Sequence, residues 1–214
     1  ALSSYDETGL PDDHYWIFVP LLKFIDGGVY SIRPFANTNM RLQAVGNNVG
    51  SNVNIYAANS DNKQYWSMFQ STGGKYILHN VGANKYLDIP GGLSTLAQHK
   101  NGTNVQISDL YDQPDDTELW DVLSYSDVKS IDGKLAFAVR FSMTAGGTVY
   151  CMDNNGNRTN NSNNVTMWED SSSNSQRWWL VKEEVTDPNA PIPYDLCLST
   201  ERGIIQNGNK PLYA

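Results

Sequence analysis

At 214 residues, with 40% hydrophobic and 18% charged side chains, the chain is long enough to bury a sizeable core in one domain and too apolar for a disordered polymer. Its 15 Lys and Arg stand against 23 Asp and Glu, a formal charge of −8 with no basic tract, which argues against nucleic acid as a partner because binding its backbone needs a cationic surface to displace counterions. No run of about 18 apolar residues exists, so no membrane span is expected; the most apolar stretch, residues 15–25, is broken by Pro20 and Lys23.

Residues 1–26 read as an N-terminal extension, within which His14-Tyr15-Trp16 faintly echoes a phrase found again downstream. From residue 27 the chain reads as strands almost throughout. "GVYSIRP", "NVNIYAA", "GKYILHN", "KYLDIP", "TNVQISDL", "KLAFAVRF", "TVYCMD", "NVTMWED" and "RWWLVKE" are short, β-branched or aromatic, and often alternate in polarity. Gly, Asn, Asp and Ser separate them, as turns require, and no long stretch combines helical period with capping signals. Residues 184–214, with Pro188, Pro191, Pro193 and Pro211, read as a C-terminal arm or linker laid over the domain spanning residues 27–183.

The same phrase recurs three times in that domain. Gln64-Tyr65-Trp66, Glu118-Leu119-Trp120 and Gln176-Arg177-Trp178 align on their tryptophans at spacings of 54 and 58. Three copies of about four short strands are too many for one flat sheet and suit a barrel closed by hairpins, the all-β arrangement of a β-trefoil. Trp66, Trp120 and Trp178 are then expected to share the core near a pseudo-threefold axis. Trp179, one position on, is expected to face the other way.

Repeated Gln-x-Trp phrases of this kind resemble the ricin B-chain lectin family, which includes trefoil carbohydrate-binding modules of secreted glycosidases. The resemblance covers residues 28–183; "NKYLDIPGG" looks like the family's Leu-Asp-Val segment and "GTNVQIS" like the strand that follows it. It implies one shallow sugar pocket per repeat: an aspartate accepting vicinal hydroxyls, an aromatic ring against the sugar's C–H face, and a polar residue beside the glutamine. The third repeat fits best, with Asp153, Trp168, Ser175, Gln176 and, as a substitute, Asn174. In the first, Tyr56, Asn59 and Gln64 are present, but Gln43 replaces the aspartate, so a weaker or altered pocket is expected. The second retains Asp88 but offers Ser108 in place of the ring, with Tyr111 nearby, and loss of sugar binding is expected there.

The expected activity is therefore non-covalent recognition of galactose-like or xylan-type glycans by a secreted or extracellular protein. Two rivals stay open: a trefoil that binds a protein partner with vestigial sugar pockets, and a targeting module of a larger secreted enzyme or toxin. Homo-oligomerisation is a further alternative. Catalysis, metal binding and a cofactor are not expected, because His14, His79 and His99 are isolated and nothing in the sequence activates Cys151 or Cys197. Those cysteines are either one disulfide of a secreted chain or two buried thiols. Asn101, Asn157, Asn160 and Asn164 each begin an N-glycosylation triplet, relevant only in a eukaryotic secreted chain. The opening on Ala1, without a charged-then-apolar leader, is what a mature or excised form would show.

Overall fold

The computed structural model describes residues 26–110, 116–190, 204–207 and 210–213. The His14-Tyr15-Trp16 echo, the apolar 15–25 stretch, Tyr111 and Cys197 lie outside the described residues.

Strands follow from alternation. In β2 (Met40–Ala44), Met40, Leu42 and Ala44 are buried while Arg41 and Gln43 turn outward. Among the described residues, thirteen strands join one sheet. Six segments close its barrel: β1 (Gly28–Pro34), β4 (Trp66–Gln70), β5 (Tyr76–Asn80), the start of β9 (Asp121–Ile131), β10 (Lys134–Ala145) and β13 (Trp178–Lys182). β13 and β4 flank β1; β5 pairs with β4; β9 and β13 both pair with β10. The last gap is bridged by reciprocal backbone bonds of 2.8 Å between Tyr76 and Trp120, at the mouth of β9. Closure leaves no open edge around the barrel.

Three hairpins cap it. They are β2 with β3 (Val53–Ala57), β6 (Lys85–Asp88) with β8 (Gln106–Ser108), and β11 (Thr148–Asn154) with β12 (Asn163–Glu169). A two-residue strand, β7 (Thr103–Asn104), pairs with β12. The inward positions match lobe by lobe: Leu42, Leu87 and Met152; Ile55, Ile107 and Met167; Val53, Val105 and Val165, all fully buried. Trp66, Trp120 and Trp178 lie in the same core cluster without solvent exposure. Each indole N–H donates to a strand carbonyl of its own lobe, Leu42 (3.0 Å), Leu87 (3.2 Å) and Met152 (2.9 Å) respectively. A large ring therefore fills the core with its one polar atom satisfied.

Where the lobes meet, three asparagines form a closed ring. Asn52 donates to Asn164 (2.8 Å), Asn164 to Asn104 (2.9 Å) and Asn104 to Asn52 (2.9 Å). Each directly precedes one of the buried valines, so an Asn-Val pair repeated in "SNVNIY", "GTNVQIS" and "NNVTMW" carries the threefold signal as well as the tryptophans do.

Trp179 does face away from its neighbour. It sits in a second cluster with Ile131, Ala136, Ala138 and Val181, stacks on Phe35 at 5.0 Å between centroids, and carries the Lys129 ammonium 4.4 Å from its ring. It clasps the outer base of the β9–β10 hairpin to β13.

Two elements depart from the sequence expectation. A short helix, α1 (Gly92–His99), follows β6; its N-cap is Gly91 at φ +78°, which makes no side-chain cap, so the usual signal is missing. It is held instead by burial of Leu96, with Leu93 and Ala97 packed against the main core. The β9–β10 hairpin is also much longer than its first-lobe counterpart β4–β5, running to an Asp132-Gly133 turn at φ +52° and +76°. Its outward residues are so mixed in polarity that residues 121–131 show no clean alternation.

After β13 the chain turns back over the barrel. Asp187 accepts from Ser67 Oγ and lies 2.6 Å from Nδ1 of His79, whose Nε2 is 3.0 Å from Asn84 Oδ1. Burial raises the Asp187 pKa, but the His79 and Ser67 bonds outweigh it and hold the carboxyl below its usual range. Nearby, Glu183 accepts from Ser31 (2.7 Å) and from Lys134, with Arg33 at 3.4 Å. Two further strands, β14 (Ile204–Asn207) and β15 (Lys210–Tyr213), pair antiparallel in a separate sheet.

Candidate functional site

In the third lobe the outward faces of β11 and β12 create one pocket. Cys151 pairs with Trp168 across the ladder and Asp153 is two residues further along β11, so the carboxylate and the indole share a face. They line a cavity of about 260 Å³ together with Asn155, Gly156, Ser171, Ser173 and Ser175. Trp168 is 42% exposed and Asp153 6%, a ring at the rim over an acid at the floor. Ser175 Oγ donates to Asp153 Oδ2 at 2.7 Å and is 2.6 Å from Ser173 Oγ. Burial raises the Asp153 pKa above its usual value, against the opposing bonds from Ser175 and Gln176. Beneath the ring, Cys151 is a free, buried thiol, which burial pushes up to about 12. It is therefore poorly ionised at neutral pH.

Gln176 is fully buried and braces the pocket from behind. Its Oε1 accepts from the Ser171 backbone N–H (2.9 Å), and its Nε2 donates to Glu169 O (2.8 Å), closing the loop between β12 and the 3-10 turn Asn174–Gln176. Gln64 does the same in the first lobe, accepting from Asn59 N–H (3.0 Å) and donating to Ala57 O (3.0 Å). Both glutamines are thus tied to the backbone of their own lobes. Asn174 is exposed and lies outside the cavity lining, whereas Ser175 lies within it.

The first lobe brings Gln43 and Tyr56 onto one face, both half-buried, with Asn59 exposed beyond them. Gln43 Oε1 accepts from Gln64 Nε2 at 2.8 Å. In the second lobe, Asp88 Oδ2 accepts from Gln106 Nε2 at 2.7 Å, and Ser108, where a ring would stand, is 6% exposed. Helix α1 occupies the connection that follows, and no ring stands at the position matching Trp168, which Ser108 holds.

Asn155, Gly156, Ser171 and Ser173 of the third-lobe lining had no place in the sequence reading, because they come from loops without a repeated phrase. Gly156, at φ +66°, lets the loop 155–157 turn tightly beside Asp153. Among the described residues no group of three or more His, Cys, Asp and Glu is placed to hold a metal ion, and no helix is long and apolar enough to cross a membrane. Of the glycosylation triplets, Asn164 has its side chain committed to the asparagine ring.

Residues 12–108 match the family described as ricin-type beta-trefoil lectin domain-like. Among solved structures, the designed threefold-symmetric protein ThreeFoil is similar over 72% of this chain and 98% of its own, with a TM-score of 0.57 and 22% identity. The Rhizoctonia solani agglutinin matches over 76% of this chain and 99% of its own, at a TM-score of 0.54 and 16% identity. A mosquitocidal holotoxin matches over 77% of this chain but only 19% of its own, at a TM-score of 0.58 and 16% identity. At these identities the solved structures speak to the fold. No curated protein gives a significant sequence match.

Proposed function

We propose that this β-trefoil, whose residues 12–108 match the ricin-type beta-trefoil lectin-like family, binds galactose-like or xylan-type glycans non-covalently, chiefly through the third lobe. The ricin-type lectin fold supports carbohydrate binding in general terms; the choice of lobe and of sugar is our reading. One observation carries it: Asp153 and Trp168, 15 residues apart in sequence, converge on a single open pocket. The carboxylate retains lone pairs beyond those engaged by Ser175 and Gln176, and two vicinal hydroxyls can donate to them with charge assistance. The exposed indole covers the C–H face of the same ring.

No step of bond making or breaking is needed, so the reading is of a non-catalytic binder acting on glycans outside the cell. A pocket this shallow binds one sugar weakly, and repetition on a glycan-covered surface raises the useful affinity. Titration with galactose and xylo-oligosaccharides is the test. Saturable binding that disappears in Asp153→Asn and Trp168→Ala, both still folded, is the expected result. Absence of binding to any sugar at about millimolar concentration, where a single weak pocket should respond, would remove the proposal.

A further inference from the structure

The first lobe repeats the geometry of the third with its hydrogen-bond polarity inverted. Gln64 Oε1 accepts a backbone N–H from Asn59, so its other end must be the amide nitrogen, and that nitrogen donates both to Ala57 O and to Gln43. Gln43 must then present its carbonyl oxygen to Gln64. Among the described residues its own NH2 has no partner, and it is left for a ligand's acceptor. Where Asp153 offers lone pairs to sugar hydroxyls, Gln43 offers protons.

The charge around the site changes in the same sense. Arg41 pairs across the ladder with Tyr56, the place Cys151 holds opposite Trp168 in the third lobe. Its guanidinium is fixed by Asn59 O (3.2 Å) and Tyr65 Oη (3.0 Å). Glu183, 3.9 Å away, is shared with Lys134 and Arg33, so it does not balance Arg41 alone. Lys63 directly precedes Gln64 as Ser175 precedes Gln176, and its nearest carboxylate, Asp61, is 3.7 Å away. The third-lobe cavity instead has one charged group in its lining, the Asp153 carboxylate, and no lysine or arginine among those lining residues. An anion approaching the third lobe meets like charge; at the first it meets a positive field.

We propose that the first-lobe face shared by Gln43 and Tyr56, with Gln43 donating, Asn59 exposed beyond them and Arg41 and Lys63 beside it, takes an acidic saccharide through its carboxylate or sulfate ester. This rests on the reading of the chain as a glycan binder and assigns its two lobes different ligands.

The test is calorimetric titration of the full chain with galactose, galacturonate and galactose 6-sulfate, in wild type, Trp168→Ala, Tyr56→Ala and Gln43→Glu. Gln43→Glu still accepts from Gln64, so the loop stays braced while the outward group becomes an acceptor. Acidic sugars should bind wild type and Trp168→Ala alike and bind less tightly as salt is raised. Gln43→Glu and Tyr56→Ala should weaken that binding about tenfold or more, leaving galactose binding in place. A response to galacturonate alone identifies a carboxylate site, to the sulfate alone a sulfate site, and to both a general anion site; each supports the proposal. Galactose binding without any acidic-sugar binding overturns it while leaving the glycan reading intact, as does acidic-sugar binding that vanishes in Trp168→Ala. If no sugar binds at all, both readings fall together.

Discussion

In the third lobe, Trp178 donates to the carbonyl of Met152 directly before Asp153; in the second, Trp120 donates to that of Leu87 directly before Asp88. Up to that point the two lobes are the same object. Beyond it, Asp153 lines a cavity together with an exposed indole, whereas Asp88 is bonded by its ladder partner Gln106 and Ser108 stands where the ring would be. The buried tie and the surface pocket are thus separable. Core tryptophans are fixed by packing and by one satisfied N–H, which every lobe needs to close the barrel, while the outer positions are free to change without disturbing it.

The severest way to break this comparison is to remove a core ring from the lobe that lacks the outer ring. Trp120→Ala should cost about 3–5 kcal/mol in urea unfolding, comparable to Trp178→Ala; a trivial cost would mean that the second lobe does not share the scaffold. Asn104→Ala removes one donor and one acceptor from the asparagine ring and should cost about 1–3 kcal/mol, with near-equal values for Asn52→Ala and Asn164→Ala if the lobes are equivalent at the axis. Trp168→Ala should weaken binding to the third lobe about tenfold or more with the melting temperature nearly unchanged, whereas Asp88→Asn should leave glycan binding as it was.

Acid should separate pocket from scaffold by smaller steps. Because burial raises the Asp153 pKa, its carboxylate is lost as pH falls through that raised value, and third-lobe binding should fade there. The stability term has the opposite sense. Asp153 contributes stability fully below its ordinary value of 3.8 and loses it as pH rises through the folded-state pKa. Asp187, depressed by its bonds to His79 and Ser67 despite burial, contributes stability above 3.8 and loses it as pH falls through the lower folded value. A titration of binding and melting temperature together should therefore show ligand release before the segment over the barrel loosens.

Most of the barrel was legible because a large indole at fixed spacing leaves a trace in sequence, and the alternation of β2, β3, β11 and β12 separates core from face. Asp153 and Trp168 were legible for the same reason: each directly follows a buried member of a repeated pair, Met152 or Met167. Gln64 and Gln176 were ambiguous until their backbone bonds were visible, since a glutamine that braces a loop and one that touches a ligand have the same letter. Helix α1 left no cap to read, and the length of the β9–β10 hairpin was hidden because its residues face solvent or a second small cluster rather than the main core. Serines 171 and 173 reach the pocket through loop geometry alone. The Asn-Val pairs were present in the sequence, and aligning three lobes on valine as well as on tryptophan would have exposed them.

The asparagine ring has a consequence for how such a chain can change over time. Each amide in the cycle both gives and receives one proton, so removing any one member leaves a dangling donor and a dangling acceptor on two different neighbours. A lobe that lacks the outer ring is still owed to the other two. It is retained as a keystone, which would let idle surface accumulate substitutions while the circle at the centre holds the number of lobes at three.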